Sequence, residues 1–304
     1  MSAPARPPEG GAPSRGEDVA QRQEGTAVSA PARPPEGGAP SRGEDVAQRQ
    51  EGTAVSAAVI YEAADGVALV RLNRPERHNA VNEDMRAALL DAWARFEADP
   101  GARVAVLCAA GQRSFCSGRD MAEPSGIGHR TFLPILGDTV CVSKPVIAAV
   151  QGDALGGGWF MAQMCDLVVA AEHVRFGLPE VKVGRVPAWA AQLRGMIGEK
   201  HMLQVMLTGT PISAADALRM GLVNAVVPDE AVMDVAMHWA AAIAANAPLA
   251  LAAAKRIVYE SAGLDRASAL EHAFELARPV LHSADAAEGL AAFREKRAPV
   301  WRGR

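Results

Sequence analysis

Two features of this chain have the residue types and spacing for chemistry. The first is a run of three glycines, Gly156, Gly157 and Gly158, between the apolar run Val146–Val150 and a helix-like segment Trp159–Met164. Glycine lets a backbone approach a ligand because no Cβ stands in the way. The first N–H groups of a helix lack intrahelical partners, so they point at whatever carries negative charge. The second feature is Glu180 in the sequence FGLPEVKVG, behind a proline that favours an exposed bend. Naked amides followed by one carboxylate suit an oxyanion hole with a base. Two other readings stay beside that one: glycines for tight packing, or a dinucleotide turn. The GxGxxG spacing is absent, because Met161 takes the last glycine position, and no GxxxxGK[ST] follows. Taken alone, Glu180 also reads as a solvated surface carboxylate.

The elements that must position these residues follow from pattern. Val67–Leu72, Val104–Ala110, Val146–Val150 and Leu167–Ala171 read as buried strands. Asn82, followed by Glu83 and Asp84, caps a helix whose apolar residues Met85, Leu89, Ala92, Trp93 and Phe96 recur at helical spacing. SFCSGRDMAE (114–123) reads as a loop. Alternation of strand and helix argues an α/β protein with its loops at one end of a sheet. Beyond Pro187 the chain reads as almost all helix: an amphipathic Ala188–Leu207, then Ser213–Met220 closed by Gly221. A brief strand, Leu222–Val227, precedes helices over 229–246, 248–260, 265–281 and 285–296.

Composition bounds the partners. The 304 residues are 49% hydrophobic with a net charge of −4, enough for a sizeable core and no pointer to nucleic acid or an anionic membrane. Cys108, Cys116, Cys141 and Cys165 show no CxxC and read as reduced thiols, which with no apolar h-region indicates a cytoplasmic protein. No apolar run approaches the roughly 18 residues of a membrane span. The histidines show no metal-ligand spacing, so no metal is expected. Residues 2–28 recur letter for letter as 29–55, rich in Pro, Gly, Ala, Glu, Arg and Gln. Such a composition has too little apolar surface to offset chain ordering, so 1–56 reads as a disordered tail. The folded domain is expected over 57–304, with a core at 57–228 and a helical region at 229–304.

Six segments, in order, resemble those of the enoyl-CoA hydratase/isomerase, or crotonase, superfamily. LNRPERHNAVN (72–82) resembles LNRPxxxNAxN, and SFCSGRD (114–120) resembles a loop of the form FxAGxD. QGDALGGG (151–158) is similar to NGxAxGGG, and CDLVVAAEHVRFGLPEVKVG (165–184) to CDxxxAxxxAxFxxPExxxG. LTGTPISAADALRMGLVNAVVP (207–228) and FREKRAPVW (293–301) complete the set. The resemblance implies a spiral of ββα units with a helical C-terminal region that builds homotrimers, often paired into homohexamers. It implies acyl-CoA substrates whose enolate is stabilised at the thioester carbonyl, with coenzyme A entering as part of the substrate and no permanently bound cofactor. By position, the oxyanion amides fall on Arg119 and Gly157 and the acid/base on Glu180. The CoA adenine falls near Ser117, Asp120, Met121 and the Arg77 loop. Phe160 and Trp189 fall beside the acyl group, and Phe293 and Lys296 at positions reaching acyl chain or CoA, often from a neighbouring subunit.

One departure bears on the reaction. Family hydratases carry a glutamate two positions after the three glycines; Phe160 stands there and can neither accept nor donate a proton. A single carboxylate still suffices to move one proton, and an aromatic neighbour raises its pKa by desolvation. Hydration or dehydration and double-bond isomerisation through Glu180 are both expected. Asp153 is a candidate second acid, with turn capping as its other reading. Thioester hydrolysis, decarboxylation, C–C cleavage, or a binding protein that kept the fold without the chemistry are the alternatives. The acyl pocket is expected to take its shape from Trp189 and the segment 123–139.

Overall fold

The computed structural model describes residues 58–122 and 132–304; the expected tail 1–56 lies outside them. The order of elements explains how the site is placed. Strands β1 (Val59–Ala64) and β2 (Val67–Leu72) form an antiparallel hairpin, and helix α1 (Glu83–Ala98) follows. Three strand pairs come next: β3 (Val104–Ala109) with β4 (Ser114–Cys116), β5 (Val146–Val150) with β6 (Asp153–Leu155), and β7 (Leu167–Ala171) with β8 (Arg175–Gly177). Helix α2 (Gly157–Gln163) lies between β6 and β7. The first strand of each pair joins a six-stranded sheet, completed by β10 (Ala225–Val227) in the order β1-β2-β3-β5-β7-β10. The second joins a four-stranded sheet, β4-β6-β8-β9, where β9 is Ile212–Ser213. From β2 onward the large sheet is parallel, with Val67 opposite Val104 and Ile147 opposite Leu167. Such strands are covered on both faces and read as continuous apolar runs. All five residues of β5 are buried.

Chemistry of the caps sets the helices. Asn82 Oδ1 accepts from the Met85 amide at 3.0 Å, and Met85, Leu89, Ala92, Trp93 and Phe96 of α1 are buried. Ser213 Oγ accepts from the Asp216 amide, starting α4 (Ala214–Met220), and Gly221 in the left-handed region ends it. The expected helix over 188–207 is two pieces. A 3-10 segment spans Ala188–Gly195, and α3 (Glu199–Thr208) starts only after Gly198, whose extended backbone (ψ 147°) breaks the run. Helix α5 (Val232–Ala244) lays Val232, Ala236, Ala240 and Ala244 on the large sheet, against β3, β5 and β7. Helices α6 (Pro248–Glu260), α7 (Arg266–Leu281) and α8 (Ala284–Glu295) lie beyond it and leave Val258, Leu270, Phe274, Leu281 and Phe293 exposed.

Candidate active site

Three neighbouring parallel strands of the small sheet, β4, β6 and β8, end at the same edge, and each runs into one loop of the site. Ligands of open α/β sheets gather at this carboxyl edge. After β4 come Ser117, Gly118 and Arg119. After β6 come Gly156 and Gly157. After β8 come Pro179 and Glu180. All seven line one cavity of about 910 Å³, within the usual size range of ligand sites.

The loop after β4 is held by the NRPERHNAVN segment. The Val81 amide donates to Gly118 O at 2.7 Å, the Asp120 amide to Val81 O at 2.9 Å and the Ser117 amide to His78 O at 3.1 Å. Asn79, fully buried, donates from Nδ2 to Ala110 O and Ser114 O. Asp120 is buried too, and it pairs with Arg74 at 3.3 Å and Arg77 at 3.2 Å. Burial would push its carboxyl up, but the Ala122 amide and the two guanidinium groups outweigh that and hold it below its usual value.

Each of the three glycines makes room for a different neighbour. A Cβ on Gly158 would stand 2.0 Å from the Cys116 carbonyl oxygen, so α2 can pack on β4 only with hydrogen there. On Gly157 it would meet Phe132 and Leu133 at 2.8 Å. On Gly156, whose φ is +56°, it would lie 2.9 Å from Glu180 Oε1. A Cβ on Gly118 (φ +88°) would likewise come within 2.9 Å of the Gly157 amide nitrogen, so the two amide-bearing loops abut. Gly157 is the first residue of α2, and its N–H has no acceptor inside the helix.

Glu180 sits in the 3-10 turn Pro179–Val183, closed by Gly184 in the left-handed region. Its Oε2 is buried without a hydrogen-bond partner. Burial pushes its carboxyl above the usual carboxylate range, its own backbone amide opposing the shift in part. Phe160 is fully buried and stacks on Trp189, with ring centroids 4.4 Å apart and planes 28° apart. Both rings line the cavity with Glu180, so this wall is apolar where a second carboxylate would otherwise stand.

Among the other residues singled out in the sequence, Met121 also lines the cavity, whereas Arg77 and Asp120 stand behind the loop as its anchor. Phe293 and Lys296 are on α8 and at its C-terminus, away from the cavity, with Phe293 84% exposed. Asp153 is not a second acid at this site. Its carboxylate accepts from the Arg175 backbone amide and pairs with the Arg175 guanidinium, and it does not line the cavity. Residues 123–131 of the pocket segment lie outside the described residues; Phe132, Leu133, Ile135 and Asp138 from its remainder do line the cavity. Arg185, which no motif flagged, lines it as well. Among the described residues no group of three or more His, Cys, Asp or Glu is placed to hold a metal ion, and no single helix is long and apolar enough to cross a membrane.

Comparison with known proteins adds to this geometry. Residues 62–304 match the family model described as enoyl-CoA hydratase/isomerase. The chain is 40% identical over 265 residues to the (E)-benzylidenesuccinyl-CoA hydratase of Thauera aromatica, covering 81% of this chain and 99% of that protein. It is 38% identical over 252 residues to the carnitinyl-CoA dehydratase of Salmonella typhi, covering 77% and 94%. Among solved structures it superposes on the enoyl-CoA hydratase EchA1 from Mycobacterium marinum with a TM-score of 0.75 at 38% identity, covering 82% of this chain and all of that one.

Proposed function

Since the chain belongs to the enoyl-CoA hydratase/isomerase family, we propose that it reversibly hydrates a 2-enoyl-CoA thioester with Glu180 as its one acid/base. The observation that carries this is the Glu180 carboxylate, half-buried on the cavity wall, with Oε2 unpartnered and its pKa raised. In the forward direction the water oxygen bonds to C3 while its proton passes to Glu180. The C2=C3 electrons move toward the thioester oxygen, which the backbone amides of Arg119 and Gly157 hold as an enolate. The carboxyl then returns its proton to C2. A carboxyl of raised pKa is matched to both halves of that transfer, and an aimed donor is worth roughly 2.7–4 kcal/mol of transition-state stabilisation.

The CoA part is assigned to the loop after β4, with the adenine near Ser117 and Met121 and Arg77 behind them. The acyl part runs along the Phe160–Trp189 wall, whose flat face suits a conjugated or aryl substituent; the name of the Thauera relative carries such a benzylidene group. The exposed apolar residues of α6–α8 support reading them as a subunit-packing face of a homotrimer or homohexamer, with Phe293 and Lys296 turned to a neighbour's substrate. Light scattering should then give a mass of at least three chains, and a monomer at micromolar concentration would remove that assignment.

A second reading, isomerisation of a 3-enoyl- to a 2-enoyl-CoA, is favoured by Phe160 standing where a second carboxylate would hold water. One experiment separates the two. Crotonyl-CoA, cinnamoyl-CoA and a 3-enoyl-CoA are incubated in D₂O and followed by mass spectrometry. Hydration gives a 3-hydroxyacyl product with one non-exchangeable deuterium at C2, lowered roughly 10²–10⁴-fold in Glu180→Gln. Deuterium entering a 2-enoyl product without added water selects isomerisation. Release of free CoA or CO₂ with neither product sinks both.

A further inference from the structure

Three strand ends meet at one buried carboxamide. Asn79 Nδ2 donates to Ala110 O, just after β3, at 3.0 Å and to Ser114 O, the first residue of β4, at 2.9 Å. Its Oδ1 accepts from the amide of Arg74, just after β2, at 2.9 Å. His78 and Asn79 both hold left-handed backbone, φ +53° and +51°, a region that Asn and His enter more readily than most residues. From this knot the chain runs two residues to Val81, which forms a parallel bridge with Arg119. The Val81 amide donates to Gly118 O, and Val81 O accepts from the Asp120 amide. In such a bridge the bonds come from the residues on either side, so Arg119's own N–H and C=O are directed away from Val81. One link behind, His78 O accepts from the Ser117 amide at 3.1 Å and the Ser114 hydroxyl at 3.2 Å. The direction of the Arg119 amide is thus set by residues 78–81, and their place by Asn79.

We propose that Asn79 is a positioning residue for the reaction: its carboxamide holds residues 78–81 where the Arg119 amide can meet the thioester oxygen. This rests on the oxyanion role given above to that amide. The side chain is specific to the task. Two buried carbonyl oxygens need two N–H donors, and the Arg74 amide needs an acceptor, a set that a short neutral carboxamide supplies. Aspartate would turn a carboxylate toward two carbonyl oxygens. Glycine would keep the left-handed backbone and remove the tie.

The direct test is the infrared carbonyl stretch of cinnamoyl-CoA labelled with ¹³C at the thioester carbon. It is read on Glu180→Gln, which holds the ligand without turning it over. Hydrogen bonds from the two amides should lower the stretch below its value for the free thioester, and adding Asn79→Gly should lose part of that lowering. In the otherwise unchanged chain, Asn79→Gly should lower kcat roughly 10- to 100-fold with KM within about threefold, and Asn79→Asp at least as far. Leu107→Ala, which weakens the core in β3, should leave the stretch and kcat of the folded protein unchanged, separating positioning from lost stability. A full lowering in Asn79→Gly, or a fall in kcat no greater than in Leu107→Ala, overturns the role. Should the Asn79 variants not fold, Ser114→Ala, which removes the hydroxyl bonded to His78 O, must show a smaller shift of the same sign, and an unchanged stretch there overturns it equally. No lowering in Glu180→Gln itself removes the oxyanion reading and this role with it. Loss of the lowering in Asn79→Gly, in a protein that hydrates nothing, would keep Asn79 in this role and remove the hydratase reading instead.

Discussion

The two sheets of this molecule do different work with the same three strand pairs. In the six-stranded sheet the strands run mostly five or six residues and the central ones are almost wholly buried, with all of β5 and most of β3 and β7 shut off from solvent. In the four-stranded sheet no strand exceeds three residues, yet all three loops of the site leave its edge. Stability and chemistry are thus divided: long apolar strands hold the fold, and short ones aim three loops at one cavity.

Paired substitutions test that division. Leu107→Ala, at a fully buried position of β3, should cost about 2–5 kcal/mol of unfolding free energy in denaturant titrations, while the protein that remains folded keeps its specific activity. Gly156→Ala, just after β6, should act chiefly on activity. The added methyl would displace Glu180 Oε1, lowering kcat/KM about 100-fold, with roughly 1–3 kcal/mol of stability lost to the positive φ. Equal activity losses in the two variants would show that the sheets are not separable in this way.

A smaller effect distinguishes two carboxylates of the site region. The folded state holds Glu180 above its ordinary value by burial, so it binds a proton more readily folded than unfolded. Its contribution to stability is therefore largest at low pH and is lost as pH rises through the folded value. Asp120 is held low, so its contribution is present above the unfolded value and lost as pH falls through the folded one. Activity, which needs ionised Glu180 to take a proton, should show an acid limb above the normal carboxylate range. Stability measured against pH should lose the first dependence in Glu180→Gln and the second in Asp120→Asn. A limb at the ordinary glutamate value would mean that the cavity does not desolvate this group.

Legibility in the sequence followed strand length. The apolar runs of β2, β3, β5 and β7, the Asn82 and Ser213 caps and the Gly221 stop are all patterns several residues long or with distinctive chemistry, and the structure has them there. The strands β4, β6 and β8 are too short to show an alternation, so Ser114–Glu123 read as plain loop. Gly198 lies inside an amphipathic pattern and its break was hidden by it. Family motifs marked Glu180, Gly157 and Arg119, which the structure brings to one cavity. Asp138 and Arg185 carry no such mark; they face the cavity only because their chain segments fold over it. Asp153 had the right chemistry for an acid but belongs to the first residue of β6, next to Arg175 rather than the cavity.

The opening turn of α2 has one more consequence. Gly157 offers its amide through the main chain, whereas Phe160, one turn on, faces Trp189 through its side chain. The amide proposed for the oxyanion and the side chain beside the proposed base are therefore set by different residues. A substitution at 160 changes the side chain facing Trp189 and leaves the Gly157 main-chain amide in place, so the two can be varied independently by point mutation.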